Sequence, residues 1–140
     1  MDVAVLVSPA AGRGRARTSS AGVLSALEAA GLTPRVLPAT TGPDAERQAA
    51  EAIAAGAGAL VAIGGDGTAH AALQAVAGTS TPLAVIPAGT GNDLALALGI
   101  PRDPVAAARA AAEDLAAGVA RSVDAGRTGD RWWATVLCCG

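Results

Sequence analysis

The sequence predicts an α/β fold built on a parallel sheet, followed by the start of a β-rich second unit. Three observations support this prediction. Short apolar runs alternate with helical patterns along most of the chain. Glycine-rich loops follow three of these runs, at 8–17, 64–68 and 87–93. After residue 122 the helical patterns stop. Alternating strands and helices favour parallel pairing through right-handed crossovers, so the three loops are expected on one rim of the sheet, where such folds bind ligands.

The composition excludes several classes of protein. The 140 residues are 51% hydrophobic and carry a formal net charge of −2, which is too apolar for a disordered chain. Arg is the only strongly basic residue type, and no basic run extends beyond Arg13, Arg15 and Arg17. We therefore expect no nucleic-acid partner. Abundant Ala, Gly and Arg, with no Lys, Phe or Tyr, match GC-rich codons and indicate a bacterial origin.

The apolar segments also predict where the chain resides. None is long enough to span a bilayer, and the residues after Met1 do not form a signal peptide. The expected location is cytoplasmic, with any membrane contact peripheral. The adjacent Cys138 and Cys139 are expected to be buried thiols of a strand, because neighbouring cysteines rarely bridge each other.

Periodicity and turn residues set the predicted elements and two domains. The predicted strands are 3–7, 35–37, 59–63 and 83–86. The predicted helices are 19–30, 44–55, 68–76, 93–98 and 104–117. These elements form an α/β domain over 1–122. The remaining residues, 123–140, are predicted to be the first hairpin of a second domain, with strands 123–126 and 132–139 joined by a turn over 127–131.

Two common phosphate-binding loops are excluded. The chain has no Lys, which a Walker-type loop requires. The dinucleotide fingerprint begins with Gly12 and Gly14, but Arg17 occupies the third glycine position, where a small residue is needed. A phosphate site in this chain must therefore depend on backbone amides, helix N-termini and arginine.

The segment Gly64-Gly65-Asp66-Gly67-Thr68 fits such a site. Its glycines are expected to turn at positive φ and to let the backbone approach a ligand, and Thr68 is expected to cap the following helix. Asp66 has two interpretations. It fits a carboxylate that holds a hydroxyl or a magnesium ion against a polyphosphate, and it equally fits a turn residue that accepts hydrogen bonds from local amides.

A second glycine-rich loop, 87–93, follows the fourth predicted strand and leads into a helix. Asn92 or Asp93 fits the N-cap of that helix, and both also fit a ligand site. Two loops of this kind, each after a buried strand, make a shared site the more economical interpretation.

Together the two loops resemble the signature pair of the diacylglycerol kinase catalytic domain family. That family includes sphingosine and ceramide kinases, and NAD kinase and phosphofructokinase are distant relatives. The second motif, Pro87 to Ala95, is specific to the lipid kinases, whereas the glycine–aspartate motif is shared with NAD kinase. Three further segments are similar to the family's first loop, its third nucleotide-contacting segment and the start of its second domain: 8–14, 41–45 and 124–126.

The chain departs from the family pattern in three places. Ser8 stands where the family often has Asn, so a nucleotide contact is weakened or replaced. His70 and Ala71 stand where the family often has Asn-Glu, so a carboxylate on the helix is missing. Family members continue past Gly140 into a β-sandwich that carries lipid contacts, and we expect that half to be absent from this sequence.

The resemblance implies binding of ATP and Mg²⁺ and transfer of the γ-phosphoryl group to a lipid hydroxyl at the membrane surface. Diacylglycerol is the simplest acceptor, with phosphatidic acid as product. Asp66 is implied as the catalytic acid/base or as a magnesium-linked carboxylate, and no residue is assigned as a direct metal ligand. The residues implied in nucleotide binding are Ser8, Gly12, Arg13, Thr41, Gly64, Gly65, Gly67, Thr68, Gly89, Thr90, Asn92 and Asp93.

Two alternatives stay open at this point. One is an enzyme similar to NAD kinase, and the other is a nucleotide-binding module without turnover. A separate expectation concerns the apolar segment 132–139. Trp132 and Trp133 point to opposite faces of a strand, so one layer cannot bury both. The chain is therefore expected to self-associate through its C-terminal strands or to leave them disordered.

Overall fold

A computed structural model of the chain describes residues 1–8 and 14–134, and its centre is a four-stranded parallel sheet. The strand order is β2-β1-β3-β4, with Val5 of β1 paired to Val36 of β2 and Val61 of β3. The predicted parallel-sheet α/β fold is confirmed. The strands are β1 Asp2–Val7, β2 Thr33–Leu37, β3 Ala59–Gly64 and β4 Leu83–Pro87.

Helices cover both faces of this sheet. They are α1 Arg15–Ala29, α2 Gly42–Ala54, α3 Asp66–Val76, α4 Asp93–Ala97 and α5 Pro104–Ala117. Successive strand residues point to opposite faces, so Val5 packs in the cluster of α1 and α5, whereas Leu6 packs in the cluster of α2 and α3. Most residues of β1, β3 and β4 are buried on both faces, which explains the continuous apolar runs of these strands, whereas the edge strand β2 is largely exposed.

The predicted starts of three helices need correction. Helix α1 begins at Arg15 rather than at residue 19, because Gly14 adopts a left-handed conformation, with φ 88°, and the chain turns into the helix there. Helix α2 begins at Gly42 rather than at residue 44, and α3 begins at Asp66 rather than at Thr68. In each case the helix takes in residues that the sequence had assigned to a loop or turn.

A small antiparallel hairpin follows α5, and its first strand begins later than predicted. Its strands are β5 Gly126–Thr128 and β6 Arg131–Trp133. Gly129, with φ 62°, starts a two-residue turn, which is typical of a tight hairpin and replaces the predicted turn over 127–131. Residues 123–125 are not in a strand. Cys138, Cys139 and the rest of the predicted strand after Ala134 lie outside the described residues. The domain boundary after residue 122 stays a prediction.

The Gln74 side chain holds the hairpin against α3 by forming the two backbone hydrogen bonds that a neighbouring strand would otherwise form. The Gln74 amide donates to the Trp132 carbonyl at 2.8 Å and accepts from the Trp132 N–H at 2.9 Å. Both backbone hydrogen-bonding groups of Trp132 are therefore satisfied by one residue of α3. Because that part of the β6 edge is already paired, self-association through the hairpin stays a prediction that depends on residues beyond Trp133.

An ion pair provides the second attachment of the hairpin. The Arg131 guanidinium donates to both carboxylate oxygens of Glu46 on α2, at 2.8 and 2.6 Å. The same guanidinium lies 3.2 Å from Nε2 of His70. These hydrogen bonds hold the pKa of Glu46 below its ordinary value of 4.5. The hairpin thus contacts α2 and α3 through charged and polar groups.

We predict that Glu46→Gln loosens the hairpin and shifts tryptophan emission to longer wavelength. The two tryptophans lie in β6 and the chain has no Tyr or Phe, so intrinsic fluorescence reports on the hairpin alone. A carboxylate with a lowered folded-state pKa stabilises the fold above the unfolded value and loses that contribution as pH falls through the folded pKa. The wild-type protein should therefore show the same shift only below about pH 4.5.

Glu51→Gln is the matched control, because Glu51 is on the same helix but pairs with Arg47. Emission of Glu46→Gln that matches wild type and this control at neutral pH would contradict the attachment.

No helix among the described residues has the length and apolar character needed to cross a membrane.

Candidate functional site

A cleft of about 660 Å³ opens at the carboxyl ends of the strands. The loops begin side by side because the parallel hydrogen bonding continues past the strand ends: the Ser8 N–H donates to the Ile63 carbonyl, and the Ala88 N–H donates to the Gly64 carbonyl. The prediction that the loops share one rim is confirmed for the described residues. The predicted site residues that line the cleft are Ser8, Thr41, Gly65, Asp66, Gly67, Thr68, Gly89 and Thr90.

The two glycine-rich loops touch through their backbones. A Cβ added to Gly65 would lie 3.1 Å from the Gly89 Cα, and one added to Gly89 would overlap the Gly65 backbone. The expected positive φ at Gly64, Gly65 and Gly67 is wrong, since Gly65 has φ −95° and the other two are not in the left-handed region. Close approach of two backbone segments is the physical reason for the glycines at 65 and 89.

The N-terminus of α3 faces the cleft without a side-chain cap. Its N-cap is Gly65, and the first backbone bond runs from the Ala69 N–H to the Gly65 carbonyl. The amides of Asp66, Gly67 and Thr68 precede that bond. The prediction that Thr68 caps the helix is wrong, because the helix starts two residues earlier and Thr68 packs beside Gly64. Uncapped amides and the helix dipole favour an anion in this part of the cleft.

Asp66 connects the two loops. Its Oδ2 accepts a hydrogen bond from the Asp93 N–H at 2.9 Å, and its Oδ1 accepts one from the Leu94 N–H at 3.1 Å. These donors are the first two residues of α4, 27 and 28 positions away in sequence. The interpretation of Asp66 as a turn residue bound to local amides is therefore wrong. Each carboxylate oxygen still has a second lone pair, and the residue lines the cleft.

The Asn92 side chain stabilises the second glycine-rich loop by hydrogen bonding to its backbone. It has a left-handed backbone, with φ 55°, and is the N-cap position of α4, but its side chain does not cap that helix. Its Oδ1 accepts from the Gly89 N–H and its Nδ2 donates to the Gly89 carbonyl, both at 2.9 Å. Neither Asn92 nor Asp93 lines the cleft. The side chain of Asn92 thus closes the loop that presents Gly89 and Thr90.

The other end of the cleft lies beside α2. Thr41 is the N-cap of α2, and its hydroxyl accepts from the Asp44 N–H at 3.2 Å. Asp44 in turn accepts from the Thr40 N–H, and its pKa is lowered mainly by its hydrogen bond with Arg47. Hydrogen bonds at the start of α2 therefore hold this wall of the cleft in place.

Several lining residues were not assigned individually as site residues, although Gly42, Ala45 and Gly91 belong to the predicted segments 41–45 and 87–93. They include the apolar Leu6, Val7, Ala39 and Ala45, together with Thr40, Gly42, Ala71 and Gly91. Most of them are next to predicted residues in the sequence. The sequence therefore indicated where the site lies, but not how many neighbouring residues line it. Gly91 is the clearest case, since a Cβ there would lie 3.2 Å from Oδ2 of Asp66.

Three predicted residues need separate mention. Gly64 ends β3 and packs against Ser8 and Thr68 instead of lining the cleft. Gly12 and Arg13 lie outside the described residues. Among the described residues, no group of three or more His, Cys, Asp or Glu side chains is placed to hold a metal ion.

The parallel sheet and the paired glycine loops define a domain of the diacylglycerol kinase type. The chain belongs to the diacylglycerol kinase catalytic domain family, whose model matches residues 2–128.

The similarity extends to individual relatives. The chain is 36% identical over 144 residues to a diacylglycerol kinase of Mycobacterium tuberculosis, covering 99% of this chain and 45% of that protein. It is 34% identical over 134 residues to a diacylglycerol kinase of Bacillus subtilis, covering 94% and 43%. A crystal structure of a diacylglycerol kinase from Bacillus anthracis superposes with a TM-score of 0.67 at 31% identity, covering 81% of this chain and 40% of that one. The chain spans about half the length of the curated relatives it matches.

We predict that Gly89→Ala lowers the free energy of unfolding by about 1–3 kcal/mol, the usual cost of forcing a methyl group into a filled space. The added carbon would overlap the Gly65 backbone, which has no flexible end to move aside. Urea unfolding followed by circular dichroism measures the change.

Gly67→Ala is the matched control for stability, because nothing lies within 4 Å of a Cβ at that position. Equal stability of Gly89→Ala and Gly67→Ala would show that the two loops are not in backbone contact.

Proposed function

We propose that this chain is the nucleotide-binding part of an ATP-dependent lipid kinase, with diacylglycerol as acceptor and phosphatidic acid as product. Membership of the family supports the reaction class. The observation that carries the proposal is the position of Asp66, which lines a cleft bordered by uncapped helix amides while it ties the second glycine loop in place. A volume of about 660 Å³ is in the range typical of small-molecule sites.

The cleft suggests an orientation for the nucleotide. Its phosphates would lie near the α3 amides and the loop with Gly89 and Thr90, because that end offers hydrogen-bond donors and the positive end of a helix dipole. The base would lie toward Ala39 and Ala45, whose small side chains leave room for a flat ring. Ser8 and Thr41 are proposed contacts along the length of the nucleotide, and Gly12 and Arg13 are proposed contacts from the first loop.

The proposed reaction is a direct displacement at the γ-phosphorus. The lipid hydroxyl oxygen forms a bond to phosphorus while the bond to the β,γ-bridging oxygen breaks, and that electron pair leaves with ADP. The hydroxyl proton passes to the Asp66 carboxylate and then to solvent. Positioning and neutralisation of charge supply most of the catalysis in reactions of this kind. Asn92 contributes indirectly, by holding the loop that carries Gly89.

The residues present are compatible with Mg²⁺. Magnesium is usually held by one or two carboxylates together with substrate phosphates rather than by a cage of protein ligands. Asp66 supplies a hard oxygen donor beside the proposed phosphate position. Bound there, the ion would neutralise the β- and γ-phosphate oxygens. The acceptor is a membrane lipid, so we propose that the reaction takes place at the membrane surface, with the enzyme on the cytoplasmic side.

The family match favours lipid phosphorylation over the NAD kinase alternative. A nucleotide-binding module without turnover stays a second candidate for the isolated chain, because the matched relatives are about twice as long. ATP binding and lipid phosphorylation, measured separately on this chain, distinguish the two. Binding without transfer supports the module, and transfer at a normal rate supports a complete active site within these residues.

We predict that Asp66→Asn lowers the turnover number by about 100-fold or more, while ATP affinity changes much less. The amide cannot accept the proton or attract a metal ion. The assay is transfer of the γ-phosphoryl group to diacylglycerol by the longest protein that contains this chain, with ATP binding followed by calorimetry.

The matched control is Asp103→Asn, since Asp103 also caps a helix, through the Ala106 N–H at 2.8 Å, but lies outside the cleft. Turnover of Asp66→Asn close to that of Asp103→Asn would remove Asp66 from the chemistry and leave it as a helix cap.

A further inference from the structure

A second, smaller cavity lies where α3 and α4 meet the residue that follows β6. Its volume is about 30 Å³, enough for about two water molecules or one hydroxymethyl group. The lining residues are Asp66, Ala69, His70, Leu73, Leu94 and Ala134. Asp66 is the one described residue that lines both this cavity and the large cleft. The same carboxylate can therefore be approached from two directions.

The walls of this small cavity differ in polarity. Asp66 and His70 supply polar groups, whereas Ala69, Leu73, Leu94 and Ala134 supply aliphatic ones. A carboxylate bordered by aliphatic walls suits an alcohol at the end of an apolar chain, because the hydroxyl can donate to the carboxylate while the adjoining carbons leave water.

The geometry of phosphoryl transfer gives the cavity a role. The attacking and leaving oxygens lie roughly in line on opposite sides of the phosphorus. A nucleotide in the large cleft approaches Asp66 from the side of α2, so an acceptor must reach the phosphorus by another route. The small cavity provides such a route to the same residue, along α4 and the hairpin.

We propose that the small cavity is the acceptor subsite, in which the terminal hydroxymethyl group of the lipid reaches Asp66, and that Leu94 sets which alcohols fit. The proposal rests on the proposed kinase function and specifies its acceptor side. The hydroxyl oxygen attacks the γ-phosphorus, its proton passes to Asp66, and ADP leaves into the large cleft. Leu94 suits this role because Asp66 holds its N–H while its side chain forms part of the cavity wall.

The hairpin defines the far wall of the subsite. His70 Nε2 lies 3.2 Å from the Arg131 guanidinium and 3.4 Å from the Gln74 amide nitrogen, and both of these groups are donors. Ala134 follows directly after the strand that Gln74 holds. The same contacts that attach the hairpin thus place His70 and Ala134 at the cavity.

The test fills the cavity without touching the large cleft. Leu94→Phe in the longest protein that contains this chain should raise the KM for dioctanoylglycerol about tenfold or more, a usual effect of a misfit in an apolar pocket. The dissociation constant for ATP should stay within about twofold of wild type. Leu96→Phe is the matched control, because Leu96 is on the same helix and 61% exposed.

A second variant tests the subsite proposal if the phenylalanine side chain of Leu94→Phe disturbs folding. Leu94→Ala widens the cavity and should shift the preference toward bulkier acceptors, such as secondary alcohols, relative to dioctanoylglycerol. Acceptor KM and preference like those of wild type in the folded Leu94 variants would overturn the proposal while leaving the kinase function intact.

A binding measurement tests the subsite separately from the kinase function. Dioctanoylglycerol binding, measured in the presence of a non-hydrolysable ATP analogue, should be weakened by Leu94→Phe but not by Leu96→Phe. If the wild-type protein transfers phosphate to no lipid alcohol yet shows this binding pattern, the kinase function fails, and with it the acceptor role, and only alcohol binding in the small cavity stands. If both Leu94→Phe and Leu96→Phe bind like wild type, the subsite fails.

Discussion

The two hydrogen bonds from the α4 amides to Asp66 are the interaction on which the site depends. Helix α4 has only five residues, Asp93–Ala97, and so short a helix is not stable on its own. A carboxylate at its N-terminus satisfies two donors and opposes the positive end of its dipole. Because the carboxylate belongs to α3, the same bonds fix the second glycine loop relative to the first. The backbone contact between Gly65 and Gly89 follows from that arrangement.

Small side chains allow backbone segments and helices to approach one another closely throughout the domain. The described core contains no aromatic residue and is rich in alanine, so the helices approach the sheet and one another on short side chains. Asn92 compensates for the flexibility that such a loop would otherwise have, because its amide closes a ring with both backbone groups of Gly89. Its left-handed backbone is one that asparagine tolerates better than most residues. The abundance of small residues in the sequence therefore allows the close packing of the site.

The sequence predicted those parts of the fold that depend on local pattern. Alternating apolar runs and helical patterns located the four parallel strands and the five helices, and the strand ends located the rim with its glycine loops. It did not predict contacts between residues far apart in sequence. Thr68 was expected to cap α3 and Asp66 was weighed as a local turn residue, since both assignments use only near neighbours. The actual acceptor–donor pairs join positions 27 and 28 residues apart. Likewise, the sequence did not predict that Glu46 and Gln74 attach the hairpin to α2 and α3.

The spacing of residues along α3 explains how the hairpin and the cleft are connected. Asp66, His70 and Gln74 are four residues apart, so they lie on one face of the helix, directed toward α4 and the hairpin. Thr68 and Ala71 line the large cleft, and Ala72 and Val76 are buried against the sheet. One helix thus serves the nucleotide cleft, the hydrophobic core and the hairpin at the same time. A rigid helix of this length cannot turn one face without turning the others. A movement of the hairpin that displaces His70 or Gln74 therefore also displaces Asp66, which lies one helical turn from His70 and two from Gln74.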